Sequence, residues 1–284
     1  MKRAYFKYIF ALLLFGSNGI LAVQILLSSY EIVLFRTLIG SALLIAIFVL
    51  ARGKLTYFKQ PKQQSLFITM SGVAMGASWM FLYEAYQQVG VGIASLAYCC
   101  GPVVVMALSP ILFREKLRLL KVIGFITVLF GILLVSDRAY QDGATVWGLF
   151  CGGMSAVTYA AMVICNKKAK NIVGLENAML QLFFGFLTVA VFVGVRQGYS
   201  INVAHGDWLP ILILGLVNTG IGCYLYFSSI GRLPIQTVAI CGYLELLSAV
   251  IFSVLILHES MQPVQILGAA LILGGAVFAE SVAK

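Results

Sequence analysis

The sequence predicts an all-α integral membrane protein whose ten transmembrane helices form two inverted five-helix repeats around a central cavity. Three observations predict this class: an apolar composition, ten long apolar runs, and Lys and Arg residues concentrated on one side of those runs. Of the 284 residues, 61% are hydrophobic and only 10% are charged, whereas an average soluble domain is about 25% charged. So little charge cannot cover a soluble surface, which excludes a soluble globule, a disordered chain, a collagen and a disulfide-stapled mini-protein.

The ten apolar runs are each long enough to cross the bilayer, because a spanning helix needs about 20 mostly apolar residues. They do not show the ten-residue alternation of barrel strands. The first run lacks a clear cleavage site, so we interpret it as a span rather than a signal peptide. The predicted spans are 4–23, 30–50, 65–86, 93–113, 119–136, 145–165, 176–195, 208–230, 235–257 and 262–280.

The distribution of positive charge predicts the orientation, because cytoplasmic loops of membrane proteins are enriched in Lys and Arg. With the amino terminus inside, sixteen of the 19 Lys and Arg residues lie in inner segments and only Arg138 and Arg196 lie in outer loops. We therefore expect a multi-pass protein of the cytoplasmic (inner) membrane with both termini in the cytoplasm. The net charge of +9 is explained by this topology and does not indicate a nucleic-acid partner.

The two halves of the chain, 1–138 and 143–284, resemble each other at an offset near 144. Five spans per half is an odd number, so the second copy begins on the opposite side of the membrane. Inverted repeats of this kind are typical of secondary transporters, in which the two halves exchange conformations. The matching residues are Glu31 and Glu176, Arg36 and Gln181, Gly40 and Gly185, Gly72 and Gly215, Tyr83 and Tyr226, Glu115 and Glu259, Gly124 and Gly268, and Gly131 and Gly275.

At these repeats the sequence resembles the EamA family of the drug/metabolite transporter superfamily. The resemblance is carried by Phe15-Gly16-Ser17-Asn18, Arg36-x3-Gly40-Ser41-Ala42, Ala94-x7-Pro102, Glu115-x8-Gly124-x6-Gly131, Tyr243-Leu244-Glu245 and Glu259-x8-Gly268-Ala269-Ala270-Leu271-Ile272. It implies a ten-span fold with a central substrate cavity and alternating access. The family commonly has proline after the Leu-Glu pair, whereas this chain has Leu246, so the effect on a kink or gate in span nine is left open.

Three ionisable residues lie inside predicted spans: Arg36, Glu84 and Glu245. A charge at mid-bilayer costs about 2.5–3.5 kcal/mol, so such residues are functional candidates. Glu245, near the middle of span nine, is the candidate for proton coupling, because its carboxylate can bind a proton or a cationic amine in turn. Its alternative role is a structural hydrogen bond to a neighbouring helix. For Arg36 and Glu84 we consider an ion pair that closes the cavity, separate binding of a substrate carboxylate and amine, or a permanent structural salt bridge.

Polar and aromatic residues in the spans complete the predicted substrate site. Asn18 and Asn218 are amides that either contact substrate or bond a neighbouring helix. Aromatic rings can hold an ammonium group by cation–π contact, worth about 2 kcal/mol when desolvated, and their alternative roles are helix packing or an interfacial belt. The aromatic candidates are Trp79, Tyr83, Tyr98, Tyr159 and Tyr243.

The sequence contains no recognisable enzyme motif, nucleotide-binding loop or metal-ligand cluster, so we expect no enzyme activity, no cofactor and no metal. Transport would then draw on an ion gradient or on exchange. We predict a secondary active transporter of a small polar metabolite, an amino acid or other amine, with export favoured by the resemblance alone. A drug or toxic-cation exporter is the alternative, and an intramembrane enzyme or scaffold is a weaker one.

The expected partners are a small-molecule substrate, protons or a counter-substrate, and the lipid bilayer. The GxxxG pairs Gly72–Gly76 and Gly148–Gly152 predict close helix approach, either within the bundle or at a dimer face. The sequence therefore leaves a monomer and a homodimer open.

Overall fold

A computed structural model describes residues 2–98, 100–113, 123–124, 126–128, 130–131, 133–134, 145–196, 198, 202–233, 235–258 and 262–281. Its long elements are all helices, and no strand occurs within these residues. Predicted span five lies only partly among them, and the repeat-matched Glu115 and Glu259 lie outside them.

In the first half of the chain, the described residues of the first four predicted spans form six helices. Spans one and four are each built from two consecutive helices. The helices are α1 (Lys2–Gly16), α2 (Asn18–Val23), α3 (Ser29–Leu50), α4 (Lys62–Val89), α5 (Val91–Tyr98) and α6 (Cys100–Phe113), with a short 3-10 turn at Tyr57–Lys59.

The second half contributes the helices of predicted spans six to ten. Span eight is a composite of an α-helical turn, a π-helix and a further α-helix, preceded by a 3-10 turn at His205–Asp207. The elements are α7 (Val146–Lys168), α8 (Gly174–Arg196), α9 (Trp208–Leu212), a π-helix (Ile213–Ile221), α10 (Gly222–Ile230), α11 (Ile235–Ile256) and α12 (Pro263–Ser281).

Six helical segments among the described residues are long and apolar enough to cross a membrane. Large apolar side chains cover their outer surfaces, and Val195, for example, is 85% exposed. Soluble monomers rarely expose such continuous apolar surface, whereas lipid tails accept it. The segments are Arg3–Val23, Ser29–Leu50, Lys62–Val89, Val146–Lys168, Gly174–Arg196 and His205–Ile230; the count of ten spans stays a prediction.

Helix ends follow local sequence signals. The α3 helix begins with a capping box, in which the Ser28 backbone N–H donates to Glu31 Oε2 at 2.9 Å and the Ser28 side chain accepts from the Glu31 N–H. Thr145 caps α7 by accepting from the Gly148 N–H at 3.0 Å. These bonds satisfy backbone donors that a helix start otherwise leaves open. The α4 helix ends at Gly90, whose φ of 79° suits glycine.

Two irregularities arise from polar side chains that bond to backbone carbonyls. Span one breaks at Ser17, where Asn218 Nδ2 donates to the Leu14 carbonyl at 2.8 Å and to Ser17 Oγ at 2.9 Å. Within the π-helix, Thr219 Oγ1 donates to the Leu214 carbonyl, five residues earlier, at 2.7 Å. Insertion of a side chain into the helical hydrogen-bond ladder is a known cause of kinks.

The packing joins the two halves in a pattern that is preserved when the halves are exchanged. The α1 helix packs against α10 and α11, and α7 packs correspondingly against α4 and α6. The α3 helix packs against α8 and the π-helix, and α8 packs correspondingly against α3 and α4. The core therefore lies between the halves rather than within each one.

Small residues allow this close packing. A Cβ atom on Gly76 would lie 2.7 Å from the Gly185 carbonyl oxygen, and one on Gly40 would lie 2.7 Å from Thr219 Cγ2. Gly148 of the second GxxxG pair likewise meets Gln88 of α4. Both GxxxG pairs therefore pack against other helices of the same bundle, as the first of the two predicted alternatives proposed, and not at a dimer face.

Candidate substrate cavity

A narrow central cavity lies where the two halves meet. Five predicted site residues line it: Asn18, Trp79, Tyr98, Tyr159 and Glu245. The sequence thus anticipated part of the polar and aromatic lining, while the role of these residues in substrate binding stays a prediction. The rest of the lining is Phe15, Met75, Ser78, Leu82, Met162, Cys223, Tyr226 and Phe227.

Glu245 is the only carboxylate among the residues that line this cavity. It lies in the middle of α11 and is half-buried. Its backbone carbonyl accepts from Ser248 Oγ at 2.8 Å, but no described residue donates a hydrogen bond to its carboxylate. The alternative of a structural bond to a neighbouring helix is therefore not seen within the described part of the chain. Tyr243 lies two residues earlier on α11, and its side chain lies outside the described part.

Arg36 lies behind the cavity wall and is 1% exposed. Its Nε donates to Thr219 Oγ1 at 2.9 Å, and its Nη1 donates to the Tyr83 hydroxyl. The guanidinium carbon lies 4.2 Å from the centroid of the Trp79 ring and 5.0 Å from that of Tyr83. Planar stacking and bonding of this kind suit a guanidinium and not an ammonium.

One polar atom of Arg36 is unsatisfied: Nη2 is buried and finds no acceptor among the described residues. Buried donors of charged groups are normally hydrogen-bonded, and leaving one without an acceptor lowers the stability of the fold. The positive charge is held against Trp79, which itself faces the cavity. Arg36 therefore adds a positive charge behind the Trp79 part of the cavity wall.

The structure does not bring Glu84 into the cavity, and it does not pair Glu84 with Arg36. The Glu84 carboxylate accepts from Ser29 Oγ, from Gln88 Nε2 at 3.3 Å and from Trp147 Nε1 at 3.2 Å. The proposed Arg36–Glu84 ion pair is thus absent from the described structure. The physical reason is that neighbouring positions on α4 point in different directions, so Tyr83 meets Arg36 while Glu84 meets α3 and α7 near their ends.

The two predicted amides lie together. Asn218 Nδ2 donates to Asn18 Oδ1 at 3.0 Å, and both side chains are buried. Asn18 faces the cavity, whereas Asn218 contacts the kink of span one from behind. The structure thus gives Asn218 a helix-bonding position and leaves Asn18 available to a ligand.

Several residues that the sequence did not single out extend the aromatic wall. The hydroxyls of Tyr159 and Tyr226 lie 3.3 Å apart, and the Tyr98 and Tyr159 rings meet at 5.1 Å between centroids. Tyr8 packs on Tyr226 and donates to the Val238 carbonyl at 2.8 Å. The match of Tyr226 to Tyr83 in the repeat was the signal that identifies it. Nothing in the sequence distinguished Tyr8 from an interfacial tyrosine.

Chemically, the cavity offers one acid, a ring of aromatic faces and a positive charge behind them. An acid and aromatic rings together recognise an ammonium group. Within the described residues, no cluster of three or more His, Cys, Asp or Glu side chains could hold a metal ion. The arrangement suits reversible binding of a small charged molecule.

Comparison with known proteins places this site in a family. Residues 2–137 and 146–280 each match the EamA-like transporter family. The uncharacterized transporter YxxF of Bacillus subtilis (strain 168) is 26% identical over 96% of this chain and 88% of its own length. Solute carrier family 35 member G1 of Homo sapiens is 22% identical over 72% of this chain and 59% of its own length.

A solved crystal structure shares the fold, with a TM-score of 0.73, 20% identity, and coverage of 99% of this chain and 98% of that one. The resemblance predicted from the motifs is therefore confirmed, and the names of the relatives indicate transport rather than enzyme activity. The chain belongs to the EamA-like transporter family of the drug/metabolite transporter superfamily and is a multi-pass protein of membrane transport.

Proposed function

We propose that the protein is a secondary active transporter that exports a small amino acid, or a closely related amine, across the cytoplasmic membrane by alternating access. The observation that carries this proposal is the Glu245 carboxylate, which faces an aromatic cavity without a donor among the described residues. A carboxylate that costs several kcal/mol to place in a membrane, and that accepts no hydrogen bond from the described residues, is typical of a binding or coupling group.

The inverted repeat is part of this proposal. It is supported by the two matches to the same family, by the odd number of predicted spans per half, and by packing that is preserved on exchange of the halves. Two such halves can hold one site and open it to either side in turn. The excess of Lys and Arg in the predicted inner segments supports cytoplasmic termini.

Coupling of substrate transport to protons follows from competition between the proton and the substrate for Glu245. One carboxylate can be neutralised by a proton or by a substrate ammonium, but not by both at once. A carrier that crosses the membrane only with this acid neutralised would exchange protons for substrate. The linkage requires only different affinities of the two states for the two cations.

The charge balance near the cavity favours an amino acid over a simple cation. Arg36 is buried beside Trp79 and opposes the accumulation of positive charge in the cavity. A zwitterion adds no net charge, whereas a lipophilic cation is repelled by the guanidinium. Specificity of this kind arises from a repulsive element as much as from an attractive one.

A drug or toxic-cation exporter is the second candidate, favoured by the adaptable apolar part of the wall. Met75 and Met162 line the cavity with Phe15 and Phe227. Methionine side chains fit ligands of varied shape, and promiscuous binding surfaces use them often. Tolerance to several unrelated lipophilic cations on overexpression would favour this candidate.

The test is flux in proteoliposomes with a panel of amino acids and amines, with and without a proton gradient. We expect flux of at least one amino acid, and its loss in Glu245→Gln. Glu31→Gln is the matched control, because glutamine preserves the α3 capping box and Glu31 lies away from the cavity lining. An absence of flux for every compound under every gradient would contradict the proposal, as would full flux in Glu245→Gln.

A further inference from the structure

The two ends of the bundle are in different states. At one end, α4 is bonded to the chain that joins spans one and two. Gln87 Nε2 donates to the Leu27 carbonyl at 3.1 Å, and Ser29 Oγ donates to Glu84. Four residues therefore close this end by two hydrogen bonds between elements, and we call them the Glu84 gate.

The repeat places four counterparts of the Glu84 gate at the opposite end. Leu27 and Ser29 correspond to Ile172 and Gly174 by the register of Glu31 and Glu176. Glu84 and Gln87 correspond to Phe227 and Ile230 by the register of Tyr83 and Tyr226. All four counterparts line one cavity, which we call the Arg232 vestibule after a further residue of its lining.

A second matched pair shows the same difference. Ala85 and Ser228 are equivalent in the repeat. Ala85 is fully buried behind the Glu84 gate, with 0% of its surface exposed. Ser228 lines the Arg232 vestibule. Ala85 is thus covered at its end of the bundle, whereas Ser228 is partly accessible at the other.

The vestibule leads toward the substrate cavity. Phe227 belongs to the lining of both cavities, so the two lie next to each other. Lys170 and Arg232 also line the vestibule, and both belong to segments predicted to face the cytoplasm.

We propose that the Ser29–Glu84 and Leu27–Gln87 contacts are the closed gate at one end of the transport path, and that the Arg232 vestibule is the open entrance at the other. The structure is then the state that opens toward the cytoplasm. In the opposite state, the Glu84 gate separates, Ala85 becomes accessible, and the four vestibule residues close on one another. This inference depends on the alternating access proposed above and assigns it specific residues.

The proposal can be tested by labelling single cysteines with a membrane-impermeant maleimide in oriented membranes. The background replaces the six native cysteines and is checked for a monodisperse profile on size exclusion. Ser228→Cys reports the vestibule from the cytoplasmic side, and Ala85→Cys reports the opposite end. With the gate intact, we expect Ser228→Cys to react with the maleimide at least about tenfold faster than Ala85→Cys. This ratio corresponds to a free-energy difference of about 1.4 kcal/mol between the two conformational states.

Breaking the gate with Glu84→Ala and Gln87→Ala together should reduce this ratio of labelling rates by about tenfold, again about 1.4 kcal/mol. Glu31→Ala is the control, since it removes a bond to Ser28 next to the gate but no contact between the two gate elements. An unchanged ratio in the double variant, or an equal change in Glu31→Ala, would overturn the gate.

A second measurement applies if the double variant does not fold. Leu27→Cys with Gln87→Cys should be joined rapidly by a short bifunctional thiol reagent, whereas the equivalent Ile172→Cys with Ile230→Cys should be joined slowly. Equal rates for the two pairs would overturn the assignment. Neither measurement needs a substrate. A negative flux assay would therefore not contradict the gate, and a negative labelling experiment would not contradict the role of Glu245.

Discussion

The two halves of the bundle are alike where they pack and different where they face the substrate cavity. Arg36 in the first half hydrogen-bonds to Tyr83 of the same half and to Thr219 of the other. Its counterpart Gln181 is fully buried, and among the described residues its side chain hydrogen-bonds only to Asn177 of its own helix. Glu245 likewise corresponds to Gly101 in the other half. The difference fits the proposed function, in which the symmetric packing would allow the scaffold to move and one charged residue from each half would supply the binding chemistry.

The largest expected effect comes from making the first half resemble the second. Arg36→Gln removes two charge-assisted hydrogen bonds, worth about 1.5–3 kcal/mol each, together with the stacking on Trp79. We expect flux in proteoliposomes to fall by about 100-fold, which corresponds to about 2.7 kcal/mol, while the size-exclusion profile is retained.

The control for that change is Arg196→Gln. Arg196 is exposed and stacks on Tyr30 and Phe192 at the rim of the bundle, 5.3 Å and 5.7 Å from the ring centroids. Its removal should leave flux near the wild-type level. Wild-type flux in Arg36→Gln, or an equal loss in both variants, would show that the asymmetry of the two halves has no part in transport.

The next effect tests the symmetric part of the comparison. Gly76→Ala places a Cβ atom 2.7 Å from a backbone oxygen of Gly185, which cannot move without shifting α8. Overpacking of this kind costs about 1–3 kcal/mol, so we expect a lower midpoint of thermal unfolding in detergent.

Two further glycine-to-alanine variants should lower the midpoint of thermal unfolding by smaller amounts. Gly40→Ala meets Thr219 Cγ2 at the same 2.7 Å, but a side chain can adjust, so the midpoint should fall less. Gly153→Ala meets no atom within 4 Å and should be close to wild type. The reverse order of stability would mean that the close approach of α4 and α8 is not a determinant of the fold.

The smallest effect compares two equivalent tyrosines. Tyr83→Phe leaves a buried guanidinium nitrogen without its acceptor, at a cost of about 1–3 kcal/mol. Tyr226→Phe removes only neutral hydrogen bonds to the hydroxyls of Tyr159 and Tyr8, worth about 0.5–1.5 kcal/mol each. Thermal unfolding should therefore show a larger loss for Tyr83→Phe, and equal losses would argue against a charged partner for Tyr83.

Much of the scaffold was predictable, because the bilayer imposes the length and apolarity of each helix. The approximate limits of six spans and the family followed from patterns along the chain, whereas the GxxxG pattern left bundle packing and a dimer face as alternatives. The break at Ser17 and the π-helix of span eight did not, because they depend on Asn218 and Thr219 reaching carbonyl groups. Contacts between distant parts of the chain leave no periodic signal in the sequence.

Residues of the site could be predicted where a single side chain is unfavourable inside a membrane span and therefore needs a functional explanation. Glu245 and Trp79 were identified because charge and large aromatic rings inside a span need an explanation, and both line the cavity. The pairing of Arg36 with Glu84 was wrong, because membership of adjacent spans does not fix which face of each helix meets the other. The role of Glu245 in coupling stays a prediction.

The most direct test of that role is the pH dependence of amino-acid exchange in proteoliposomes, measured for the wild type and for Glu245→Gln. If a proton and the substrate ammonium compete for one carboxylate, acidification should slow exchange in the wild type, and the glutamine variant should show slow exchange that no longer responds to pH. A glutamine variant that keeps the wild-type response to pH would contradict the account.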